Sequence, residues 1–234
     1  MRMFAPFSPA WVIRDMISLS RWGASFLIVA TILIAWISIS WGSAYWEVLS
    51  AVSGVICVVL VAERKYSNFM WGLINCSLYG LTSYYNGFYG DMSLNWLVYV
   101  PFQFIGLWMW QRSAPVDDGV ETRALASGQL WMVATCTAIL IAALSFILHS
   151  VGGNHPAVDA SNVVFSLLAT VLMALRFREQ WICWIIVNAT GITMWALNTF
   201  ADDGEGIAAL LMWVAFMVNS VYGFVAWSRA ASKH

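Results

Sequence analysis

Eight apolar stretches, at residues 22–41, 46–62, 68–86, 92–111, 129–149, 159–175, 180–199 and 206–228, occupy most of this chain of 234 residues. Each comes close to the roughly 20 residues that an α-helix needs to cross a bilayer. Hydrocarbon offers a backbone amide no partner, so such segments must satisfy their hydrogen bonds internally, which selects helices. Charged residues make up 10% of the chain, against about 25% in a soluble domain. The expected fold class is an all-α integral membrane protein with eight transmembrane helices in a lipid bilayer. A formal net charge of −1 excludes nucleic acid as a partner held by electrostatics.

The charge map agrees with eight spans. All 11 Lys and Arg residues fall in 1–21, the 63–67 turn, the 112–128 loop, the 176–179 turn and the tail, which share one side of the membrane. The positive-inside rule makes that side cytoplasmic, with both termini on it. Residues 10–20 are too short and polar to span and predict an interfacial amphipathic helix. No small-residue cleavage site follows the first apolar run, so no cleavable signal peptide is expected. The opposite loops carry Glu47, Asp91, Asp159, Asp202, Asp203 and Glu205 and no Lys or Arg, a surface that attracts cations and repels phosphates. Cys57, Cys76, Cys136 and Cys183 lie inside apolar segments without metal-ligand spacing, so they read as packing residues. Neither a metal nor a cofactor is expected.

The polar loop at 112–128 sits near the middle of the chain and invites comparison of its two sides. An offset of 113 aligns Glu63 with Arg176, Lys65 with Arg178, Trp71 with Trp184 and Asn75 with Asn188. After an insertion near Asp202–Gly206, an offset of 117 aligns Gly106 with Gly223, Trp110 with Trp227 and Arg112 with Arg229. Three helices plus one linker helix make an even shift, so both halves enter the membrane in the same direction, as a parallel repeat. The domain organisation expected is an amphipathic helix and extra span at 1–45, a three-helix bundle at 46–112, and a loop and linker helix at 113–158. A second bundle at 159–228 and a tail at 229–234 complete it.

The seventh stretch carries Trp181, Trp184, Asn188 and Trp195, which at about 100° per residue fall on one helical face. An amide in hydrocarbon needs a partner, so this stripe faces protein or a cavity. Trp71 and Asn75 repeat part of it with Asn68, Thr82 and Tyr85, and Asn95, Tyr99, Gln103 and Gly106 recur at i, i+4 steps in the fourth stretch. Asn219 and Ser220 occupy matching depth in the last. Stacked indoles around hydrogen-bonding amides suit a flat, polar, cationic heterocycle. Trp22, Trp41, Trp46 and Trp131 sit at span ends and fit an interfacial belt. No ionisable side chain lies in mid-span, which points to facilitated diffusion rather than proton coupling. An enzyme is not expected: His149, His155 and His234 lie at a span end, in a loop and at the terminus, and no G-x-S-x-G elbow occurs.

The spacing W-x-x-W-x-x-x-N-x-x-x-x-x-x-W at 181–195 resembles the signature of the PnuC family of bacterial nicotinamide riboside transporters. W-G-L-I-N-C-S-L-Y-G at 71–80 and N-W-L-V-Y-V-P-F-Q-F at 95–104 are also similar to that family, and the resemblance extends over 46–228. It implies a 3+1+3 helix arrangement related to SWEET sugar carriers, to which the 22–41 span is an addition. It implies a homotrimer, an inner-membrane location and facilitated uptake, with phosphorylation trapping the substrate inside. By the resemblance, Trp181, Trp184, Asn188 and Trp195 line the substrate site. Gln103 and Asn75 are candidates for hydrogen bonds to ribose or carboxamide, with Trp71 and Tyr99 beside them. Thiamine, flavins or a sugar are the alternative substrates.

Overall fold

The computed structural model describes residues 7–113, 115–116, 119–150, 156–201 and 205–232. Asp202, Asp203, His155, His234, Arg2 and Lys233 lie outside the described residues. The chain forms helices α1 (Pro9–Ile17), α2 (Arg21–Ser40), α3 (Tyr45–Ala62), α4 (Asn68–Tyr85), α5 (Tyr89–Ser93) and α6 (Val100–Gln111). A two-strand ladder follows, β1 (Pro115–Val116) antiparallel to β2 (Gly119–Val120). Helices α7 (Ser127–Ser150), α8 (Pro156–Ala174), α9 (Gln180–Ala201) and α10 (Ile207–Ala231) complete the fold. Among the described residues, six helices are long and apolar enough to cross a membrane: α2, α3, α7, α8, α9 and α10.

The fourth apolar stretch is not one regular helix. Between α5 and α6 the segment Leu94–Tyr99 is π-helical. Pro101 has no N–H to donate and its ring crowds the preceding turn, so the hydrogen-bond ladder shifts register there. The wider turns carry Asn95 and Tyr99.

Six helices pack in a closed ring, α3–α4–α6–α8–α9–α10 and back to α3. Helix α2 lies outside against α3 and α10, and α7 packs on α8. Helix α1 follows its amphipathic pattern in an unexpected sense: Ile13 and Ile17 are exposed, while Asp15 is buried. The Asp15 carboxylate accepts the Ser67 N–H at 3.0 Å, at the N-terminus of α4, where the helix dipole favours negative charge. Glu63 ties α2 to the ring, accepting from Ser20 Oγ at 2.5 Å and from Tyr222 Oη at 2.7 Å.

The ends of α3 and α8 are built alike. Each closes in a Schellman turn: Lys65 N–H to Leu60 C=O at 2.8 Å and Arg64 N–H to Val61 C=O at 3.0 Å, then Phe177 N–H to Leu172 C=O at 2.8 Å and Arg176 N–H to Met173 C=O at 3.0 Å. Arg64 and Arg176 take the left-handed conformation this turn requires, with φ of 60° and 68°. That costs a side-chain-bearing residue roughly 1 kcal/mol, and both turns are held from outside. The central loop crosses this basic end of the bundle, where Val120 N–H donates to Arg64 C=O at 3.3 Å and Arg123 N–H to Arg176 C=O at 2.8 Å. Val120 is buried, and Gly119 comes so near that a Cβ there would sit 2.4 Å from the Arg64 oxygen. The stretch expected as a polar linker is thus a strap pinned to both turns.

Indoles seal the basic end from within. Trp110 Nε1 on α6 donates to Met173 C=O of α8 at 3.0 Å. Trp227 Nε1 on α10 donates to Val61 and Ala62 C=O of α3 at 3.1 and 3.2 Å. Phe69 and Trp181 pack between them, each against a glycine. A Cβ on Gly106 would stand 2.6 Å from the Phe69 ring, and one on Gly223 would stand 2.5 Å from the Trp181 ring. Of the cysteines, Cys76 and Cys183 are buried as expected, Cys57 is half-buried and Cys136 is exposed on α7.

Candidate functional site

The helix ring encloses a cavity beyond the indole seal, with about 120 Å³ of water-accessible space. That is room for several waters or part of a polar guest, more than a packing defect. Helix α4 contributes Gly72, Asn75, Cys76 and Tyr79; the π-helical segment and α6 contribute Asn95, Tyr99 and Gln103. From the other side come Trp181, Trp184 and Asn188 of α9 with Trp213, Phe216 and Ser220 of α10. No Asp, Glu, Lys, Arg or His is among its lining residues.

The amides are held rather than loose. Asn188 Nδ2 donates to Ser220 Oγ at 2.9 Å, joining α9 to α10. Asn75 Nδ2 donates to Ser50 C=O at 2.9 Å, joining α4 to α3. Gln103 Nε2 reaches Cys76 Sγ at 3.8 Å, and its carboxamide packs on Gly72, where a Cβ would stand 2.4 Å from Oε1. Gln103 Oε1 and Trp181 Nε1 are buried with no hydrogen-bond partner. One acceptor and one donor left unpaired among the lining residues are what a polar guest would satisfy. Tyr99 stands edge-on to Trp184, ring centroids 6.1 Å apart.

Six residues anticipated from the sequence thus meet around one space: Trp181, Trp184, Asn188, Asn75, Gln103 and Tyr99. Trp195 and Trp71 do not. Trp195 shares the helical face of Asn188 but lies about 10 Å further along the axis, at 1.5 Å per residue. There it is fully buried and its Nε1 donates to Tyr79 Oη at 2.5 Å. Trp71 is turned roughly 90° from the mid-line of Gly72, Asn75, Cys76 and Tyr79, and its Nε1 has no partner. Asn219 also turns away, donating to Val58 C=O at 2.8 Å, and Ser220 takes the place at the cavity. Sequence reasoning missed Tyr79 and Trp213. Trp213 carried a usable signal, since it lies seven residues before Ser220 and hence on the same face. Its ring fits because Gly191 opposes it, where a Cβ would come within 2.6 Å.

Comparison with known proteins agrees over nearly the whole chain. A family model described as "Nicotinamide mononucleotide transporter" matches residues 44–229. A Neisseria mucosa protein named "Nicotinamide riboside transporter PnuC" is 37% identical over 218 residues, covering 91% of this chain and 81% of that protein. A Haemophilus influenzae protein of the same name is 32% identical over 218 residues, covering 91% of this chain and 90% of its own. The fold is similar to the "Crystal structure of the Vitamin B3 transporter PnuC", with a TM-score of 0.87 at 35% identity, covering 97% of this chain and 99% of that one. An all-helical membrane fold, an enclosed indole-and-amide cavity and these matches identify a transporter rather than an enzyme, and the chain belongs to the PnuC family.

Proposed function

We propose that this chain is a facilitative carrier of nicotinamide riboside in the bacterial cytoplasmic membrane. The observation that carries this reading is the uncharged cavity walled by indoles and amides. A pyridinium ring gains stacking and cation–π contact from Trp181 and Trp184. Gln103 Oε1 and the Trp181 N–H supply an acceptor and a donor for carboxamide or ribose, and Asn188, Asn75 and Tyr99 complete the site. A phosphate would enter this wall without a cationic partner, which is strongly unfavourable. The riboside, as in the names of the relatives, is therefore favoured over the mononucleotide. Preferential uptake of the riboside into proteoliposomes is the expected result, and faster movement of the mononucleotide would overturn the proposal.

The same proposal includes eight spans, α4 and the α5–α6 unit being the two beyond the six, with the basic end and both termini cytoplasmic. It includes a parallel 3+1+3 repeat in which 46–112 and 159–228 form the halves around the linker 113–158, with α2 added. Three paired features favour the repeat. The Schellman turns end α3 at Ala62 and α8 at Ala174, 112 residues apart. Gly106 faces Phe69 as Gly223 faces Trp181. Trp110 bonds across to α8 as Trp227 bonds across to α3. These favour an offset of 112 rather than 113 in the first part, so that Arg64 matches Arg176, Phe69 matches Trp181 and Cys76 matches Asn188. The homotrimer implied by the resemblance belongs to the proposal too, with α7 supplying exposed apolar surface.

A further inference from the structure

Tyr79 is where the cavity wall meets a charged group. Its side chain lines the central cavity, and its hydroxyl donates to Asp91 Oδ2 at 2.7 Å. The same oxygen accepts Nε1–H from Trp195 at 2.5 Å and from Trp213 at 2.9 Å. An indole N–H can only donate, so two indoles on one phenol oxygen fill its acceptor positions and direct its single proton elsewhere. That proton points at Asp91, whose carboxylate is the acceptor this arrangement demands.

Asp91 is half-buried and faces a second cavity at the end of the bundle opposite the indole seal. That cavity is lined by Asp91 and Asp159 with Asn162, Ser166 and Thr190, and Asn95, Tyr99 and Trp213 line both cavities. A single layer of side chains thus separates a neutral aromatic chamber from an acidic one. The central chamber has no charged residue of its own, and Asp91 stands one hydrogen bond behind its wall.

We propose that Asp91 is the charge-selecting residue of this carrier: held by Tyr79, its carboxylate supplies the negative field that favours a flat cationic ring over a neutral ring of the same shape. The inference rests on the nicotinamide riboside reading above. Asp91 does not touch the guest; it acts through the Tyr79 hydroxyl and through the field it sets up across Tyr79 and Trp213. Loss of Tyr79–Asp91 geometry alone would weaken every ligand alike, whereas loss of charge weakens only the cation.

The test compares binding of cationic nicotinamide riboside with its neutral 1,4-dihydro form, by calorimetry on purified wild type and Asp91→Asn. Wild type is expected to prefer the cation. Asp91→Asn is expected to keep its affinity for the dihydro form and lose about tenfold for the cation, the order of effect of removing one unit charge that acts across a low-dielectric wall. Asp91→Glu restores the charge and must restore the preference, and Asp91→Ser gives a second neutral variant should Asp91→Asn not fold. An unchanged cation-to-neutral ratio in the neutral variants, with both affinities kept or both reduced together, overturns the inference and leaves the substrate reading standing. A wild-type protein that binds neither ligand overturns both.

Discussion

Asn188 and Trp195 sit on the same face of α9 and do different things, and the difference comes from depth along the helix. Asn188 meets Ser220 of α10 at the cavity, while Trp195 lies past Tyr79 and donates to its hydroxyl. Periodicity reports the angle around a helix axis, so the stripe was legible in the sequence. It does not report which side chain of a neighbouring helix intervenes, so the bond from Trp195 to Tyr79 was not. The Asn188–Ser220 bond also explains why the amide is tolerated in an apolar bundle: removing it leaves a buried hydroxyl unpaired and a wall of the cavity without its polar group. Asn188→Ala is expected to weaken nicotinamide riboside binding by about 1–3 kcal/mol, measured by calorimetry. Affinity equal to wild type would take Asn188 out of the site.

Whole elements extend the same lesson. Apolar length anticipated the six described helices that are long and apolar enough to cross a membrane, and their ends follow from turn chemistry that the sequence only partly displays. Arginine at a left-handed C-cap position is an uncommon choice, since glycine usually fills it. The strap through Val120 and Arg123 holds both turns by their Arg64 and Arg176 carbonyls, a contact between segments far apart in the chain. The irregular π-helical segment was written in the sequence as Pro101, yet its effect, turning Asn95 and Tyr99 to the cavity, emerges only in three dimensions. The indole bonds at the basic end join α6 to α8 and α10 to α3, so each links helices far apart in the chain. Trp110→Phe and Trp227→Phe keep most of the ring volume and remove the N–H, each at a cost of about 1 kcal/mol to the closed end. Faster alkylation of the cavity thiols Cys57 and Cys76, in a background with Cys136→Ser, is the expected readout. Unaltered labelling would show that these bonds do not hold the end closed.

On the scale of the whole molecule, six helices in a ring surround a chamber with no Asp, Glu, Lys, Arg or His among its described lining residues. Such a lining offers no carboxylate or imidazole to carry a proton at neutral pH. Proteoliposomes are therefore expected to bring nicotinamide riboside to equal concentration on both sides, with or without a proton gradient. Accumulation that follows the gradient would refute simple facilitation. Apolar length and the spacing of tryptophan with asparagine by themselves determined the class of fold, the membrane setting and part of the chamber's wall. These are local properties, set by the thickness of a bilayer and by 3.6 residues per helical turn. Only the tertiary structure decided which indoles face the chamber and which brace it, that the central loop is a strap, and that Asp91 stands behind Tyr79. Each of those depends on which helix packs beside which, and the burial energy that selects the neighbour is shared among residues far apart in the chain.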